Sequence, residues 1–160
     1  MRPRLDRPHR PFRPRCLVLG MLLAWIVAFY LPAFLIAATG HAGSGSALSA
    51  MWLMTDRVGL AVKLALGVLF IILLLGHRRA IALPTPIRAA ADALLGALAM
   101  FLLLAFLPES WSRGFGIGLT GTRFDPDTLP WYLLGGLAAG LVFTLADAKC
   151  GELRTPPTDT

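Results

Sequence analysis

Four long apolar runs dominate the chain, separated by short polar or glycine-rich segments. The first, about residues 16–38 (CLVLGMLLAWIVAFYLPAFLIAA), has 23 residues without a charge. The others cover about 58–76, 86–107 and 130–148. About 20 apolar residues, rising 1.5 Å each, cross the hydrocarbon core of a bilayer. Each run therefore predicts a transmembrane helix. Backbone hydrogen bonds in lipid must be satisfied internally, which leaves helices or closed barrels. The predicted fold class is all-α, a polytopic integral membrane protein built as a four-transmembrane-helix bundle. The first run exceeds the roughly 7–15 apolar residues of a secretory signal and predicts an anchor. Pro32 in its outer half predicts a kink.

The segments between the runs complete the layout. Residues 1–15 form a basic Arg/Pro tail and 149–160 a polar tail, flanking a membrane domain over 16–148. The loop 39–57 is glycine- and serine-rich in its first half; in its second half, Ala47 to Met54 with Trp52 are suited to the interface. The second run stops at His77, Arg78 and Arg79, and Thr85 and Pro86 carry the start signal of the third. The loop 108–129 holds several glycines and the turn sequence FDPDTLP. Weak internal similarity pairs LALGVLF at 64–70 with LAAGLVF at 137–143, and FYLPAF at 29–34 with AFLPES at 105–110. It leaves open a duplicated helical hairpin.

Composition supports a membrane and excludes a nucleic-acid binder. The chain of 160 residues is 56% hydrophobic and 15% charged, with mean hydropathy +0.68 and net charge +6. Six of the fifteen basic residues fall in the first fifteen positions and most others flank apolar runs. This is a pattern of orientation rather than of groove tracking. The tails and the link at 77–88 hold eleven basic residues; the loops 39–57 and 108–129 hold Arg57, Arg113 and Arg123. The positive-inside bias then predicts both ends in the cytoplasm of a bacterial inner membrane. In the tail, polyproline spacing would line Arg7, Arg10 and Arg13 along one edge, as candidate contacts to anionic lipid headgroups.

Few residues carry candidate chemistry. Lys63 lies inside the second run, where an ionisable residue is costly; it either has a function or snorkels to the headgroups. Asp56, Glu109, Asp125 and Asp127 are its candidate partners. Asp92 lies one to two turns into the third run, with Arg88 four residues earlier as a local partner. The two sit at opposite depths, which argues against a Lys63–Asp92 pair. Gly136 and Gly140 form a GxxxG, with Gly135 and Ala139 alongside, and predict a close helix-packing face, within the chain or between subunits. Ala89, Ala93 and Ala97 offer matching spacing on the third run. Asp125 and Asp127 flank Pro126 and read first as a turn. The histidines fall outside the apolar runs, and the serines lack a constructible triad. GFGIG lacks the setting of a phosphate loop. Cys16 and Cys150 show no paired spacing and read as reduced apolar fillers.

No catalytic, metal or cofactor motif emerges, so no cofactor is expected. The expected function is a non-enzymatic accessory or assembly subunit of a membrane complex. Its partners would be membrane lipid and other membrane subunits or further copies of the chain. The alternative is a small oligomeric transporter or channel using Lys63 and Asp92. An enzyme built on Asp125 and Asp127 ranks third.

Overall fold

The computed structural model describes residues 14–39, 46–80, 84–106 and 127–152. Five helices account for them. α1 is Pro14–Ala38 and α2 is Ala47–Arg57. α3 covers 60–80 as one rod, with Leu60–Phe70 passing through a π turn at Ile71–Leu75 into Gly76–Ala80. α4 is Thr85–Phe106 and α5 is Leu129–Glu152. α1, α3, α4 and α5 are long and apolar enough to cross a membrane.

α5 is the hub, because small residues let two neighbours approach its backbone. Toward α4, a Cβ added at Gly140 would run into the Asp92 carbonyl. One at Gly136 would lie 2.6 Å from the Gly96 carbonyl oxygen, and one at Gly96 would meet the Gly136 carbonyl. Toward α1, a Cβ at Gly135 would come within 2.5 Å of the Pro32 ring, and Gly20 makes room for Phe143. Ala24, Ala28 and Ala139 are fully buried among these contacts. Both helices run antiparallel to α5, since Asp92 faces Gly140 while Gly96 faces Gly136, and Gly20 faces Phe143 while Pro32 faces Gly135. Pro32 sits inside a continuous helix, its ring seated against Gly135.

α3 is held differently, by large side chains. Val62, Leu66, Phe70 and Leu74 are buried at four-residue spacing. In a straight α-helix each such step overshoots a turn by about 40°. The wider π turn takes up part of that rotation, so the row continues to Arg78. Trp25 lies over Gly67 and donates from Nε1 to the Lys63 carbonyl at 2.8 Å. α2 packs on α1 with Tyr30 and Trp52 edge to face at 5.5 Å.

Several sequence expectations are corrected. The second helix continues beyond 76 to 80, because Arg78 finds partners inside the bundle. The apolar half of the loop 39–57 is a helix, opened by Ser46, whose hydroxyl accepts from the Ser49 N–H at 3.2 Å. The cysteines are not separate fillers. Cys16 and Cys150 are joined by a disulfide with Cα atoms 5.7 Å apart. The antiparallel contact of α1 with α5 brings them together, and a separation of 134 residues carries no sequence signal for it. In the two segments of the suspected repeat, Gly67 meets Trp25 whereas Gly140 meets the α4 backbone.

The glycine contacts make a graded expectation. Gly140→Ala places a methyl against backbone and should lower the unfolding free energy in mixed micelles by about 1–3 kcal/mol. Gly76 has open space around its Cβ position. Gly76→Ala should therefore raise stability by about 0.5–1 kcal/mol through helix propensity. Equal effects at the two positions would contradict the close packing.

Candidate functional site

The candidate site is a polar cluster at the end of the bundle shared by Cys16 and Cys150. Asp92 is fully buried on α4. Its Oδ2 accepts from the Thr144 hydroxyl at 2.6 Å and from Arg78 Nη2 at 3.1 Å. Arg78 also reaches Asp147 through Nη1 at 2.7 Å, and its guanidinium carbon lies 4.0 Å over the Phe143 ring. One cation thus bridges two carboxylates and an aromatic face. The contacts tie α3, α4 and α5 together.

Local sequence explains the arrangement. Gly140 brings α5 against the backbone of Asp92, and Thr144 follows one turn later on the same face. The row of buried α3 residues ends at Arg78, whose side chain is 13% exposed. Asp147 is 34% exposed and forms the outer edge of the cluster. Unused hydrogen-bonding capacity remains inside: Asp92 Oδ1, His77 Nε2 and Arg78 Nε are buried and have no partner among the described residues. Such atoms are uncommon in folded proteins and mark strain or a binding role.

Lys63 is at the opposite end of the bundle, near the start of α3, and is half-buried. Its ammonium makes no ion pair among the described residues, including with the exposed Asp56. The structure does not bring Lys63 and Asp92 together. Asp92 takes partners from α3 and α5, which the local Arg88 spacing did not include. Gly136 and Gly140 face α4, Gly135 faces α1, and Ala139 is buried between, so these contacts are internal. Gly96, their principal counterpart on α4, was not singled out from the sequence; it forms a small-residue row with Ala89 and Ala93 at mixed spacing. Arg7, Arg10, Arg13, Glu109 and Asp125 lie outside the described residues. Among the described residues, no group of three or more histidine, cysteine or acidic side chains could hold a metal ion.

Arg78, His77, Thr144 and Asp147 were missed as site residues. Arg78 and His77 read as a stop signal, and Asp147 as the end of a helix. The available clue was the four-residue spacing from Val62 to Arg78.

A second feature occupies the opposite end. An apolar cavity there is lined by Ala28, Val58, Val62, Met100, Leu103 and Tyr132. Thr55 also lines it and donates its hydroxyl back to the Met51 carbonyl at 2.8 Å. The fully buried Leu66, Phe70, Ala99 and Ala139 fill the core.

No protein-family model matches the chain, and neither a curated protein nor a solved structure matches it. The cluster therefore rests on its own geometry.

Removing one member of a buried ion pair strands the other, at a cost of about 3–5 kcal/mol. Arg78→Met should be the most destabilising change in the cluster, since it strands Asp92. Adding Asp92→Leu to Arg78→Met should recover part of the loss. A double-mutant cycle read by unfolding in micelles measures this. Purely additive effects would show that the pair carries no coupling.

Proposed function

We propose that the chain is a multi-pass protein of a bacterial inner membrane with both ends in the cytoplasm. In this reading it acts as a small, non-enzymatic accessory or assembly subunit of a membrane complex. The excess of basic residues in the tails and the 77–88 link supports the orientation. One observation carries the subunit role. The small-residue faces and the Arg78 cluster are used inside the bundle, while α3 keeps an aliphatic row turned outward. Leu60, Leu64, Val68 and Ile72 recur every four residues and are 54–70% exposed. A ridge of this kind fits the groove of another membrane helix.

The test is a photo-crosslinking residue at Leu64 or Val68 in cells, combined with purification in mild detergent. A discrete membrane protein should be trapped from both positions, and the same protein should co-purify. A lone chain that cross-links only to lipid contradicts the proposal.

A second reading, an oligomeric transporter or channel, is favoured by the buried Asp92 Oδ1 and His77 Nε2, which have no partner among the described residues, and by half-exposed Asp147 in the same Arg78 cluster. Intramembrane ionisable groups commonly mark ion or proton paths. Purified protein in liposomes should then carry a proton or monovalent-cation flux, lost in Asp92→Asn and reduced in Lys63→Met. The absence of flux from correctly folded protein removes this reading and leaves the subunit role.

A further inference from the structure

The chain has two cysteines, and they meet although 134 residues separate them. Their Cα separation of 5.7 Å lies within the bridging range of about 4.4–6.8 Å. Cys16 is buried in the first turn of α1, and Cys150 is half-buried in the last turns of α5. Arg15 and Lys149, both exposed, are their sequence neighbours. The joint thus sits at one end of the bundle beside two cations. The charge bias assigns this end to the cytoplasm, where thiols are kept reduced and a permanent disulfide is rare.

We propose that Cys16 and Cys150 form a reversible thiol–disulfide site, open in the reducing cytoplasm and closed by a small anionic disulfide of the glutathione type. The proposal rests on the orientation given above and not on the subunit role. Arg15 and Lys149 attract an anionic reagent, an attraction partly offset by Asp147 and Glu152 on the same end of α5. Cys150, the more accessible partner, attacks as its thiolate on one sulfur of the small disulfide. A mixed disulfide forms and one small thiolate leaves. The Cys16 thiolate then attacks Cys150 Sγ, the protein bond closes and the second small thiolate departs. Two electrons pass from the protein dithiol to the small disulfide, and the two thiol protons go to water. Two small thiols acting in reverse reopen the bond.

Closing the bond changes what lies next to it. Asp147, which holds Arg78 at 2.7 Å, is three residues before Cys150, less than one helical turn. The oxidised form fastens this turn of α5 to α1, and with it the exposed edge of the polar cluster. The reduced form leaves that turn held by non-covalent contacts. Redox state would thereby tune the grip on Arg78.

The test uses the full chain in right-side-out and inverted membrane vesicles. Free thiols are counted with a mass-tagged maleimide after acid quench and denaturation. Untreated membranes should show two free thiols. Oxidised glutathione should remove both together and give a faster-migrating species on non-reducing gels, and dithiothreitol should restore both. Cys16→Ser should form only a glutathione adduct at Cys150, without the mobility change. Two thiols persisting after oxidant, or none free before reductant is added, would overturn the reversible site. In parallel, a membrane-impermeant maleimide should reach reduced Cys150 in inverted vesicles. Labelling in right-side-out vesicles would overturn the orientation, independently of the thiol count.

Discussion

The backbone contact between α4 and α5 fixes where the polar cluster and, through it, α3 can sit. Gly96, Gly136 and Gly140 bring two helices to a distance that no Cβ would allow. At that distance Thr144 reaches the Asp92 carboxylate, and Asp92 stays fully buried. A buried carboxylate needs a partner. Arg78 supplies it from α3, and Asp147 holds the other side of the guanidinium. The glycines thus act on α3, which they do not touch, by fixing the carboxylate that recruits its arginine.

Two kinds of packing follow from this constraint. α5 is held against α1 and α4 by small residues, with dispersion between closely spaced backbones as the main attraction. α3 is held by Val62, Leu66, Phe70 and Leu74 and then by charge. In the membrane setting proposed above, apolar side chains would gain little by leaving lipid for protein, so hydrogen-bonded charge would give α3 a specific position that greasy contact alone does not. The π turn belongs to the same logic, because it keeps Arg78 on the face that its apolar predecessors define.

Most of the architecture was legible in the sequence. Apolar length alone located four helices long enough to cross a membrane, with ends within a few residues of those observed. Polar boundaries were less legible. Arg78 after an apolar run looks like a stop signal whether its side chain points to water or back into the bundle. Its orientation depends on a carboxylate fourteen residues later, on another helix. The stretch 47–54 was visible as apolar, but its helical form also depends on the Ser46 cap and on packing of Trp52 against Tyr30. Asp92 was found because a lone carboxylate in an apolar run is conspicuous. Its partners were not, since they come from tertiary contact. The cysteine pair was invisible for the same reason.

The glycine contact places Asp92 where Arg78 must meet it. The most direct test is a solid-state nuclear magnetic resonance measurement of the dipolar coupling between Asp92 Cγ and the Arg78 Nη atoms, with the protein in lipid bilayers. The structure has Arg78 Nη2 at 3.1 Å from Asp92 Oδ2. It therefore predicts a weak but detectable coupling in the native chain and its loss in Gly140→Leu, where α5 is pushed away from α4. No coupling in the native chain, or coupling unchanged by Gly140→Leu, would show that the glycine contact does not set the Asp92–Arg78 pair.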